Sequence, residues 1–145
     1  MNDGRHLQKI YIVFGYVDDV VWAKPFGDNL YQIQSIPYLP TGVHFEDVVS
    51  VRQSTFADKR LYVEKVVHAS GHRTLLVDFD DLEAIQVEEI LAELRHQQAR
   101  YEHDSEKKEY YAVDIPPEAD YAIIYSYLQG LEQRKILNLF GEVEP

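Results

Sequence analysis

In the stretch VVHASGHRTLLVDFDD, Val66–Asp81, a histidine and an arginine follow directly on a Ser-Gly pair. A histidine acts as a general base when a carboxylate or a second ring orients one of its nitrogens and the other stays open to substrate. Asp78 or His44 would be that partner for His72, and the chemistry would be proton transfer. No nucleophile elbow, phosphate loop or kinase signature accompanies it, and seven glycines are too few for a phosphate cradle. Backbone geometry offers a simpler account. With Ser70-Gly71 as a two-residue turn, His68 faces Arg73, Val66 faces Leu75, Glu64 faces Val77 and Tyr62 faces Phe79. Glycine then supplies the positive φ that a tight hairpin demands. His72 is on this reading the corner of a hairpin, and an enzyme built on it ranks last.

Metal ligation fares no better. His96 and His103 with Asp104 lie on a helix end and the next strand, and His68 with His72 on a hairpin, so neither pair has i, i+4 placement on a helix. The chain has no cysteine, which excludes disulfides, thiolate sites and a cysteine nucleophile. Neither a metal nor a cofactor is expected. With 25 acids, no specific carboxylate pair can be singled out for hydrolysis.

The elements that must position these residues fall into two sets. KIYIVFGY, VVWAKPF, NLYQIQSI, DVVSVRQST and RLYVEKVVHA are short runs rich in β-branched and aromatic residues, with turns expected at Asp18-Asp19 and Gly27-Asp28-Asn29. They predict a small curled sheet or partial barrel over residues 1–70. PYLPTG interrupts them, since Pro37 and Pro40 cannot both sit in a paired strand. From Arg73 the rhythm becomes strand, helix, two strands, helix, strand, which predicts a ferredoxin-like βαββαβ unit over residues 71–145. The fold class is therefore α+β. In the first helix Val87, Ile90, Leu91 and Leu94 form the apolar stripe, and Asp80 and Asp81 are expected to cap its start. In the second, Pro116-Pro117 should open the helix, and Tyr121, Ile124, Tyr125, Leu128 and Leu131 form the stripe. Ile123 and Tyr127 lie off that stripe, one above the other, either in the groove between the helices or at the centre of a contact patch.

Charge divides the chain the same way. Residues 1–79 carry eight Lys/Arg against nine Asp/Glu, whereas residues 80–145 carry six against sixteen. The second unit would repel phosphate backbones and attract basic partners. Its sheet face would offer Tyr110 among Ala112, Asp114, Thr74, Leu76 and Asp78, a poor stacking platform for RNA. Neither nucleic-acid nor membrane binding is expected, and the reading is of a cytoplasmic protein.

Several segments carry a family resemblance. IPYLPTGVHFEDVVSV, SGHRTLLVDF and VDIPPEADY, together with Trp22, resemble the bacterial family catalogued as domain of unknown function four-two-six-five. The similarity spans about residues 20–140. It departs at Glu46, where the family pattern has glycine before the aspartate, so the turn there is expected to be built differently. The resemblance carries no activity across.

Three functions from different classes follow. The first is a non-catalytic immunity or antitoxin-type protein that occludes a basic toxin or nuclease domain. Glu88, Glu89, Glu93, Glu118 and Asp120 would be its charged contacts, with Ile123 and Tyr127 as apolar anchors. The second is a ligand-binding or regulatory protein with a pocket near Trp22, Tyr38, His44 and His72. The third is the enzyme using His72.

Overall fold

The structure, a computed structural model, describes residues 7–104, 106–107 and 109–140. Burial alternates along β1 (Gln8–Phe14) and β2 (Val17–Gly27), so that Ile10, Ile12, Val21 and Ala23 share one face. With β3 (Leu30–Ile33), β4 (Val48–Gln53) and β5 (Leu61–His68) these strands close into a five-stranded barrel. Ile33, Val43, Val49 and Val51 complete its interior. Closure is made by β1 and β5, parallel to each other and in register at Tyr11 and Tyr62.

The tight turn expected at Asp18-Asp19 lies instead at Gly15-Tyr16, where Gly15 has φ +63°. Asp18 and Asp19 belong to β2. Asp19 is buried, and its carboxylate accepts the backbone N–H groups of Val20, Tyr38 and Leu39, each at 2.9 Å. Those bonds tie the Pro-rich loop to the barrel.

The second sheet is built from β6 (Arg73–Asp78), β7 (Arg100–His103), β8 (Tyr110–Ile115) and β9 (Asn138–Phe140). Its order is β7-β8-β6-β9, and every neighbouring pair is antiparallel. The helices α1 (Ala84–His96) and α2 (Tyr121–Gln133) cover one face. Leu75, Val77, Phe79, Val113 and Ile115 of the sheet meet Ile90, Leu91, Leu94, Ile124 and Leu128 of the helices in one core. Both predicted stripes point inward.

The helix starts differ from expectation. Asp80 and Asp81 form a turn ahead of α1, with Asp80 at φ +55° and its N–H held by the Asp78 carboxylate. The residue before α1 is Glu83, which makes no side-chain cap. Pro116 and Pro117 likewise precede α2, whose cap is Asp120 accepting from Ile123 N at 3.2 Å. A charged or proline-rich approach to a helix resembles its first turn in sequence, and only the hydrogen bonds separate them.

The Ser70-Gly71 hairpin does not form. β5 pairs with β4 and β1, and β6 pairs with β8 and β9. Closing the barrel consumes both edges of β5, and the interior position of β6 consumes both of its own. No edge is left for the two strands to share. Ala69–His72 is therefore the connector between the two units. The second face of the sheet is covered as well: Leu76, Tyr110 and Ala112 pack under Ile36 and Tyr38 of the loop between β3 and β4.

Candidate functional site

Where the loop, the connector and the sheet meet, polar groups converge. Thr74, Asp114 and Arg100 stand directly opposite one another across β6, β8 and β7. Asp114 at the centre of this row has no exposed surface. An ionised carboxylate so placed must be paired. His72 Nδ1 lies 2.8 Å from its Oδ1, and Arg100 donates to its Oδ2 at 3.3 Å. Burial pushes the Asp114 carboxyl above its ordinary value, opposed by the His72 and Arg100 hydrogen bonds.

The other ring nitrogen of His72 faces the barrel loop. Its Nε2 lies 3.4 Å from Glu46 Oε1, and Phe45 packs edge-on against the ring at 5.3 Å. Arg100 also lies over Phe45, its guanidinium 4.2 Å from the ring centroid. Glu46 holds φ +68°, a left-handed backbone that costs a non-glycine residue about 1–2 kcal/mol. Glutamate there puts a carboxylate beside the imidazole, so the strain coincides with a contact that glycine could not make.

Asp47 fixes the frame. It is buried, and its two oxygens accept Ser70 N at 2.8 Å and His44 N at 2.9 Å. The Ser70 hydroxyl donates to the Phe45 carbonyl at 2.7 Å and accepts from His72 N at 3.1 Å. Gly71 has φ +90°, and a Cβ there would stand 3.1 Å from Pro117 Cγ. Glycine is required by the connector and by its close approach to Pro117. These segments enclose a cleft of about 450 Å³ lined by Phe45, Glu46, Ser70, His72, Gln98, Arg100, Pro116, Pro117 and Glu118.

Of the four pocket residues expected from sequence, His72 lines this cleft and Trp22, Tyr38 and His44 do not. Trp22 points outward from the barrel wall, with Lys9 over its ring, because the even positions of β2 face away from the interior. Tyr38 donates to the His103 carbonyl at 2.9 Å and accepts from the Tyr110 hydroxyl at 2.6 Å through its own carbonyl, which makes it a tie between the units. His44 Nδ1 is 2.8 Å from Thr74 Oγ1. The partner of His72 is neither Asp78 nor His44 but Asp114, forty-two residues on. Nor is His72 a surface corner, for its side chain is only 10% exposed. The signal for Asp114 was present in YYAVDI, since an aspartate inside an otherwise apolar strand calls for a buried partner.

The predicted docking residues divide. Glu89 and Tyr127 line a groove between the helices with Ile90 and Leu131, and Glu93 lies close enough, with Glu89, to help burial push the Tyr127 hydroxyl above its ordinary value. Glu88 is exposed and paired with Arg95 at 2.9 Å. Ile123 is 51% exposed, whereas Tyr127 packs against the core. Asp120 is occupied as a helix cap, and Glu118 opens onto the seam cleft instead. Among the described residues no group of three or more His, Asp or Glu is arranged to hold a metal ion. No helix there is long and apolar enough to cross a membrane.

The fold is thus a closed five-stranded barrel joined through a polar seam to a helix-backed four-stranded sheet. The chain belongs to the family described as domain of unknown function (DUF4265), whose model matches residues 19–139. It is also similar in fold to a hypothetical protein from Neisseria gonorrhoeae, with a TM-score of 0.80 at 19% identity over 94% of each chain. No curated protein matches it.

Proposed function

We propose that this is a small-ligand-binding protein whose site is the seam cleft. The observation that carries the reading is Asp114: a carboxylate with no exposed surface that holds two of the cleft's lining residues, His72 and Arg100. A few convergent polar groups in a concavity between two units are the usual form of a ligand site. The residues come from four separate segments, so ligand contacts would bridge barrel and sheet. The second unit is read as ferredoxin-like, a reading supported by its strand order, and the cysteine-free sequence supports a cytoplasmic setting. The test is amide chemical-shift mapping of the full chain against amino acids, carboxylic acids, amines and nucleotides. Binding should move the resonances of Ser70–Arg73 and Gln98–Arg100, and His72→Ala should weaken it. Shifts confined to the helices, or none from any class, would sink the reading.

A second reading is favoured by the exposure of Ile123 and of Glu88 and Glu89 on the helical face. On this reading the acidic helices dock a basic protein, such as a toxin or nuclease domain, in the manner of an immunity protein. Reversing Glu89 and Glu93 to lysine should abolish a salt-sensitive one-to-one complex with such a partner. A complex that survives the reversal would exclude this face.

A further inference from the structure

Resting on the cleft reading above, we propose that the ligand is a free α-amino acid bound as its zwitterion. The lining residues carry charges of both signs: Arg100 beside Glu46 and Glu118, with His72, Ser70 and Gln98 as further polar groups. A ligand with only a carboxylate or phosphate would meet the two glutamates. A ligand with only an amine would leave unmatched the guanidinium donors that Asp114 does not take. A molecule with ammonium and carboxylate a few bonds apart satisfies both.

The individual groups suit those roles. Arg100 is fixed by its bond to Asp114 and its stack on Phe45, and a guanidinium has five donors in a rigid fork, the geometry that takes a carboxylate. Glu46 keeps its place beside the cleft through a left-handed backbone. Glu118 is exposed on the approach to α2. The volume, about 450 Å³, leaves room beyond the amino and carboxyl groups, and Phe45, Pro116 and Pro117 offer an apolar wall for a side chain.

The experiment is calorimetric titration of the full chain with the twenty common amino acids, followed by the deaminated and decarboxylated forms of the tightest binder. For phenylalanine these are 3-phenylpropanoate and phenethylamine. Each half-ligand should bind about tenfold or more weakly, because a polar site rejects an analogue that leaves its groups unpaired. Glu118→Gln should weaken the amino acid and leave the deaminated form unchanged. Arg100→Gln should weaken the amino acid and the deaminated form while sparing the decarboxylated one, with amide spectra confirming that both variants are folded. A half-ligand that binds as tightly as the parent, with shifts at the cleft, would overturn the amino-acid assignment and leave the cleft as a ligand site. No cleft shift with any amino acid, while a nucleotide or other class binds there, would overturn it in the same way. No cleft shift with any probe would overturn both.

Discussion

His72 Nδ1 stands 2.8 Å from Asp114 Oδ1, which fastens the connector between the two units to the middle of the sheet. Removing one member of a buried hydrogen-bonded pair leaves the other unsatisfied. Asp114→Ala is expected to cost about 3 kcal/mol in urea unfolding. His72→Ala should cost less, since Arg100 still bonds the carboxylate. Equal losses would show that Arg100 contributes nothing to holding Asp114.

Glu46 separates backbone strain from side-chain contact. Glu46→Gly and Glu46→Ala both remove the carboxylate beside His72, but only glycine adopts φ +68° without penalty. The glycine variant should be the more stable by about 1 kcal/mol. Thermal or urea unfolding of the pair decides it, and equal stabilities would mean that the loop relaxes to another conformation.

Gly71→Ala should lose stability by about 1–2 kcal/mol, because φ +90° is strained for alanine and the new methyl would press on Pro117. Had the connector been a free hairpin turn, the crowding against Pro117 would be absent. Pro117→Ala in the same background should restore part of the loss.

Alkali should strike the tie between barrel and sheet. Burial pushes both Tyr38 and Tyr110 up to about 12. An unfolded tyrosine loses its proton near 10, so between these values the folded chain binds more protons than the unfolded one. Stability therefore falls as pH rises through that window. Unfolding midpoints measured from pH 9 to 12 should drop in the wild type and drop less in Tyr110→Phe, relative to each protein's own value at pH 9.

On the acid side Glu102 is also raised, chiefly by burial. Its folded form takes up a proton at higher pH than the unfolded form does at 4.5. The penalty for the buried charge is present above the folded value and is relieved as pH falls through it. The wild type should gain stability relative to Glu102→Gln as pH falls from neutral toward 4.5 in urea titrations. A constant difference would place the carboxylate in solvent.

What sequence reasoning reached and missed follows from the range of the interactions. Parity along Arg73–Asp78 and Tyr110–Ile115 assigned the helix-facing residues correctly, since alternation within a strand is local. The apolar stripes of both helices were legible for the same reason. Ser70-Gly71 misled because a turn signal reports only its flanks, and β5 and β6 each find their partners elsewhere in the chain. Trp22, Tyr38 and His44 were grouped by type around a loop whose path over the sheet no short pattern encodes. Asp114 was read as one more acid, because its pairing with His72 is a tertiary event.

The sheet order has a consequence for how the chain matures. Every barrel strand lies within Gln8–His68, so the barrel can close while the rest is still being synthesised. β6 then waits for β8 and β9, its two neighbours, the second of which ends at Phe140. Throughout that interval Ile36 and Tyr38 have no sheet to cover, and His72 has no carboxylate to meet. A ribosome-bound intermediate would expose a sticky loop on a finished barrel, and a binding holdase or a stalled nascent chain should mark that loop first.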